Sequence, residues 1–179
     1  EFEFPFGWGE LYGLAYRGDF DLKNHSEKSE EDLVYEDPES GDKFVPHVVE
    51  PTFGVNRTFL MLLASAYTQD GDRTYLKLDP KVAPYKAAVF PLVANKPELM
   101  RRAKEVYLKL KLELPTVFDA RGNIGKRYYA QDEIGTPWCV TVDYQTLEDN
   151  TVTIRDRDTT QQSRVRIEEI KEFINKKIS

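Results

Sequence analysis

Residues 46–67, PHVVEPTFGVNRTFLMLLASAY, constrain the fold of this chain more than any other stretch. Val48 and Val49 are β-branched and favour an extended backbone. Pro51 has no N–H to give a ladder and predicts the end of that strand. Gly54 permits a tight turn, and Asn56 suits the N-cap of a following helix. From Thr58 to Tyr67 almost every residue is apolar, so the helix is expected to be buried on most sides. Arg57 then stands at a helix N-terminus, where unpaired N–H groups and the dipole favour anions. A strand bearing a carboxylate (Glu50), a glycine turn and a fixed guanidinium suit a nucleoside triphosphate beside an amine-bearing substrate. An ordinary βα joint is the competing reading.

Charge divides the chain. The net charge is −6 over 179 residues, but residues 1–80 carry −10 and residues 81–179 carry +4. That asymmetry fits a polyanion-binding module joined to a module of another kind, with a boundary at 80/81. The turn-rich, non-periodic stretch 68–84 agrees with it. One cysteine, Cys139, excludes an internal disulfide, and with two histidines it cannot build an ordinary structural zinc site. No metal centre is expected, and a reducing, cytoplasmic setting fits. The longest apolar run, 59–64, is far short of the roughly 20 residues a membrane span needs.

Along the chain, EFEFPF (1–6) alternates as a strand, and a second extended segment holds Leu11, Leu14 and Ala15. Glu10 sits among Gly7, Gly9 and Gly13, either a solvated strand position or a ligand. In YRGDFDL, Arg17, Asp19 and Asp21 alternate with Phe20 and Leu22 and predict a polar strand face. Residues 23–43 read as a charged surface loop. Beyond 84, a buried strand (87–93), a helix (97–114), a short strand (116–119) and a second helix (123–134) are expected. Strands at 138–144, 151–156 and 165–167 and a closing helix (168–178) complete the pattern. Alternating elements of this kind give a three-layer α/β domain on a mixed five-stranded sheet.

EPTFGVNRTFLMLL resembles motif 3 of the class II aminoacyl-tRNA synthetases, and Glu-Pro-Thr-x-Gly ahead of the arginine is similar to the glycyl-specific branch. GWGELYGLAYRGDFDL (7–22), IGKRYYAQDEIGTPWCVTVDY (124–144) and TVTIRDRD (151–158) fit the same branch, in order, over essentially the whole chain. The resemblance implies an α+β chain in two parts. Residues 1–80 are the end of an antiparallel-sheet catalytic domain with motif 3 at 46–67, and 81–179 an anticodon-binding domain. The implied activity is glycine–tRNA ligation: ATP, with Mg2+, activates glycine to the adenylate, which passes to tRNA(Gly). Motifs 1 and 2 are absent, so the expectation is a fragment inactive alone, the complete enzyme being a homodimer. The alternative is a non-catalytic, synthetase-like accessory protein that binds nucleic acid.

Site residues come from the same resemblance. Glu10, Glu50 and Thr52 would hold glycine, carboxylates suiting its ammonium. Glu50 and Arg57 would serve ATP, with Arg57 at its γ-phosphate end and as the catalytic charge donor. Glycine anticodons carry cytosine at their second and third positions, whose amine suits Asp and whose acceptors suit Arg. Arg155 and Arg157 alternate with Asp156 and Asp158, and Lys126, Arg127, Tyr128 and Tyr129 add charge and stacking rings. A salt-bridged sheet edge is the competing reading of these residues.

Overall fold

A computed structural model describes residues 1–178. Its contacts divide the chain into two compact units, Glu1–Ala64 and Ser65–Ser179. The expected change at 80/81 thus falls inside the second unit, because residues 65–80 pack with the sheet domain beyond them.

In the first unit, β1 (Phe2–Phe4) and β2 (Gly7–Gly9) form an antiparallel hairpin that turns through Pro5 and Phe6, with Gly7, φ 113°, opening β2. Strand β3 (Tyr12–Gly18) leads into α1 (Phe20–Ser29). A hairpin of two-residue strands, β4 (Tyr35–Glu36) and β5 (Lys43–Phe44), comes next, then β6 (Val48–Phe53) and α2 (Val55–Ala66). Strands β3 and β6 pair antiparallel, from Tyr12 opposite Phe53 to Gly18 opposite Val48.

Four expectations are corrected here. Pro51 does not end its strand: it lies inside β6, opposite Leu14, in a two-stranded ribbon where each strand has an unpaired side that tolerates proline. Asn56 is not the cap, since α2 starts at Val55 and the Thr58 amide donates to the Gly54 carbonyl at 2.8 Å. The polar strand face of 19–22 is a helix start instead. Arg17 with Asp21 and Asp19 with Lys23 are ion pairs four residues apart, a spacing that serves helical geometry as well as alternation serves a strand. The charged loop therefore contains most of α1 and the β4–β5 hairpin. Finally, α2 is not enclosed: Ala66 is its only buried residue.

The second unit opens with a hairpin unforeseen in 68–84, β7 (Tyr67–Asp70) and β8 (Arg73–Leu76), turning at Gly71 with φ 59°. Beyond it lie β9 (Ala87–Pro91), α3 (Pro97–Lys111), β10 (Thr116–Phe118), α4 (Ile124–Glu133), β11 (Trp138–Val142), α5 (Tyr144–Asp149), β12 (Thr151–Asp156) and β13 (Gln162–Arg166). A 3-10 turn, Ile167–Glu169, leads into α6 (Ile170–Ile178). The sheet order is β10-β9-β11-β12-β13, parallel over the first three and antiparallel over the rest, the expected mixed five-stranded sheet.

Every residue of β9 and β11 is buried, as continuous apolar runs in parallel strands require. One sheet face (Val89, Val140, Ile154) packs on Leu99 and Val106 of α3 and on Ile170 and Ile174 of α6. The other (Ala88, Phe90, Cys139) packs on Ile124 and Tyr128 of α4. Pro97 opens α3, and the Asn123 side chain caps α4 by accepting from the Lys126 amide at 2.9 Å. Helix α5 is not apparent from the sequence pattern, although its start carries a reciprocal cap between Asp143 and Thr146. Among the described residues no helix is long and apolar enough to cross a membrane.

Candidate functional site

The first site is built on the β3–β6 ribbon. Its register sets Gly13 opposite Thr52 and Ala15 opposite Glu50, and residues two apart share a face. Two small residues thus floor a surface carrying a hydroxyl and a carboxylate. Glu10, just ahead of β3, lays its carboxylate over that floor. A Cβ on Gly13 would stand 3.1 Å from Glu10 Oε1 and 3.9 Å from Thr52 Cβ, so glycine is what leaves room there. The Thr52 hydroxyl donates to Glu50 Oε1 at 3.2 Å, and Arg17 Nη1 approaches Glu50 Oε2 at 3.2 Å.

Arg17 also grips Asp21 with its Nε and with Nη2, the latter at 2.8 Å. Asp21 first, then Glu50, raises the Arg17 pKa, and Arg17 holds the Asp21 carboxyl below the usual range. Nothing in the spacing of 17–22 singles Arg17 out as a partner of Glu50. Its distance of four from Asp21 is the one available signal, and alternation over the same residues masks it.

Across the floor, Gly54 brings the backbone round into α2. The Arg57 guanidinium reaches back over the turn and donates to the Glu10 carbonyl at 2.6 Å. Glu10, Thr52, Asn56 and Arg57 line one cleft of about 510 Å³. Its lining offers a carboxylate and an arginine at the start of a twelve-residue helix. A group carrying both an ammonium and an anion would be complemented at both ends. Glu10, Thr52 and Arg57, chosen from sequence, converge in this cleft, and Glu50 joins through the Thr52 hydroxyl.

The residues chosen in the second unit scatter. Arg155 is buried, its Nη1 and Nη2 donating to the two carboxylate oxygens of Asp132 at 2.9 and 3.0 Å, with its guanidinium over the Tyr128 ring. Arg157 is buried too. It donates to the carbonyls of Gly135 (2.7 Å) and Leu78 (2.8 Å) and pairs with Asp158. Arg127 points inward to the carbonyls of Pro91, Leu92 and Gly122, and burial lowers its pKa. Reading bases with these three guanidiniums is corrected by the structure, since protein acceptors occupy their donors. Alternation finds a real strand but not its depth: β12 lies between β11 and β13, its Val152 and Ile154 enter the core, and its Arg155 turns to Asp132 of α4.

Asp156 is likewise committed, accepting from the amides of Asp158 and Thr159 at 3.0 Å each, and Tyr128 hydrogen-bonds Thr141 at 2.7 Å. Lys126, Tyr129 and Asp158 remain exposed. Among the described residues no cluster of His, Cys, Asp and Glu is arranged to hold a metal ion.

Comparison with known proteins bears on both units. The family described as the anticodon binding domain matches residues 86–177. Over 99% of its length the chain is 49% identical to the glycine–tRNA ligases of Bacillus cereus (strain ZK / E33L) and Clostridium tetani (strain Massachusetts / E88). It is 47% identical to that of Caldanaerobacter subterraneus subsp. tengcongensis. The chain spans 39% of the length of each of these relatives. With the five-stranded sheet of the second unit coinciding with the matched region, the chain belongs to the anticodon binding domain family, within a sequence similar throughout to glycine–tRNA ligases.

Proposed function

We propose that this chain is part of a glycine–tRNA ligase, supplying one side of the amino-acid activation site and the domain that reads the anticodon. The observation that carries the first half is the convergence of Glu10, Thr52 and Arg57 in one cleft, with Glu50 held behind Thr52. Glycine offers an ammonium and a carboxylate with no side chain. Glu10 and Glu50 bind the ammonium, and the Thr52 hydroxyl orients it. Arg57 and the start of α2 receive the γ-phosphate end of ATP, which arrives with Mg2+. The glycine carboxylate attacks the α-phosphate, forming the acyl–phosphate bond as the bond to pyrophosphate breaks. No general base is needed, because the attacking carboxylate is already ionised. Charge stabilisation by Arg57 is the protein's main contribution on this side. A terminal hydroxyl of tRNA(Gly) then takes the glycyl group as an ester while the acyl–phosphate bond breaks and AMP leaves, and the anticodon cytosines of that tRNA meet the second unit.

Two substitutions in the complete ligase test this. Glu50→Gln should raise the glycine KM in ATP–pyrophosphate exchange far more than the ATP KM, because the ammonium needs that charge and the anionic triphosphate does not. An unchanged glycine KM would remove the assignment. Arg57→Ala should lower the adenylation rate by about 10²–10³, the usual cost of one preorganised donor. A variant that only melts earlier, with wild-type kinetics, would make Arg57 a structural joint and not a phosphate ligand.

A further inference from the structure

The hairpin β7–β8 precedes the region matched by the anticodon binding domain family, yet it is bonded into that region at a fully buried carboxylate. Asp132 on α4 has no exposed surface, and it meets two guanidiniums. Arg155 takes it end-on through Nη1 and Nη2, and Arg73 of β8 donates from Nε to Oδ2 at 2.8 Å. The second nitrogen of the Arg73 fork, Nη2, donates to the main-chain carbonyl of Arg157. One side chain therefore ties α4 to the residue just past the end of β12. Arg157 is fixed from the other side by its own bonds to Gly135 and Leu78, and Leu78 belongs to the same leading segment. The outcome is a rigid base for one exposed group. The Asp158 carboxylate, 37% exposed, is held by Arg157 Nε at 2.8 Å and Nη2 at 3.2 Å, which leaves its outward lone pairs free.

We propose that Arg73 is a positioning residue for RNA recognition: by bridging Asp132 and the Arg157 carbonyl it fixes the turn that presents Asp158 to the exocyclic amine of an unpaired cytosine. This rests on the anticodon reading above and adds to it a reader, Asp158, and a support outside the matched region. A carboxylate suits that amine as acceptor. A carboxylate on an unsupported turn would lose discrimination to its own mobility, because directional hydrogen bonding needs a fixed acceptor. Phosphate contacts elsewhere on the unit supply affinity but do not depend on this turn.

The experiment is titration of the chain, by fluorescence anisotropy at several salt concentrations, with an anticodon stem–loop RNA carrying cytosine at the second and third anticodon positions. Counterparts with uracil at either position complete the set. Wild type should prefer one cytosine by on the order of tenfold. Asp158→Asn should erase most of that preference. Arg73→Lys keeps a cation beside Asp132, and so the fold, but cannot reach both acceptors. It should reduce the preference to about that of Asp158→Asn, with an unchanged salt slope, because the phosphate contacts are intact. Arg73→Gln should do the same more strongly, and if it melts early the lysine variant decides. Lack of any cytosine preference in wild type would sink the anticodon reading itself. Preference in wild type that survives either Arg73→Lys or Asp158→Asn would overturn the present inference and leave that reading standing.

Discussion

Leu99 and Phe59 are both large apolar residues in amphipathic helices, yet one is 1% exposed and the other 63%. The difference lies in what each unit offers as cover. Helix α3 lies against β9, β10 and β11 of the five-stranded sheet and shares its core with α6, so Leu99, Ala103, Val106 and Leu110 all vanish from the surface. Helix α2 belongs to a unit with two-stranded ribbons only, and Phe59, Leu60 and Val55 stay outside, with Leu14, Val49 and Phe53 of the ribbon. Phe4 is the one buried apolar side chain described in 1–64. Hydrophobic periodicity states which face of an element wants burial. Whether the chain carries the partner for that face is a separate matter, and the two units answer it oppositely.

Separating the units gives the sharpest test of that contrast. Ser65–Ser179 expressed alone should unfold in one cooperative transition, and Glu1–Ala64 alone should show none, since a two-stranded ribbon is marginal in water. A cooperative melt from Glu1–Ala64 would break the comparison. Starting the second unit at residue 84 instead of 65 should lower its midpoint. That cut removes Arg73 from Asp132 and Leu78 from its place against Gly135, which has φ 82°.

The network around Asp132 should account for the next largest effect. Asp132→Asn leaves Arg73 and Arg155 facing a neutral group in the interior, and breaking a buried ion pair from one side typically costs about 3–5 kcal/mol. Chemical denaturation of Ser65–Ser179 measures it. A loss under about 1 kcal/mol would mean that water, not Asp132, satisfies those guanidiniums.

The same contrast governs what the sequence makes legible. The five strands, α3, α4 and α6 can be read from it because their burial patterns are long and their caps are local: Asn123 and Pro97 announce helices by chemistry within a few residues. The hairpin at 67–76 cannot, because its reason for existing is Arg73 meeting a carboxylate fifty-nine positions away. For the candidate site of the first unit, Glu10, Thr52 and Arg57 are legible from motif resemblance, and the register of β3 and β6 then brings Glu10 and Thr52 together. Arg17 is hidden because an i,i+4 ion pair and a polar strand face use the same letters. Arg127, Arg155 and Arg157 mislead because charge in a sequence says nothing about depth: the place of β12 inside the sheet buries Arg155, while Arg127 on α4 and Arg157 beyond β12 turn inward to main-chain carbonyls.

A paired substitution compares the two helices directly. Leu99→Ala should cost about 2–5 kcal/mol, as for other fully enclosed leucines. Phe59→Ala in the same chain should change stability by no more than about 0.5 kcal/mol, because it vacates surface and not core. Comparable losses at both positions would show that α2 is covered in solution.

The smallest expected effect is one of pH, read in Ser65–Ser179. Asp143 accepts from Arg164 Nη1 at 2.6 Å and Nη2 at 2.8 Å and from the Thr146 amide at 3.0 Å. Arg164 first, then the Thr146 amide and hydroxyl, holds its carboxyl below the ordinary range. At the far end of α5, the Thr151 hydroxyl and the Gln145 amide bring Asp149 down to about 2. A carboxyl whose folded pKa is depressed stabilises the fold above its unfolded value of about 3.9, and that stabilisation drains away as pH falls through the folded value. The midpoint of Ser65–Ser179 should therefore be level from neutral pH to about 4 and decline below it. Asp143→Asn cannot titrate, so it should lower the midpoint at pH 7 and flatten the acid decline. An equally steep decline in Asp143→Asn would assign the acid sensitivity to other carboxylates and leave the β11–α5 cap a neutral hydrogen-bonding device.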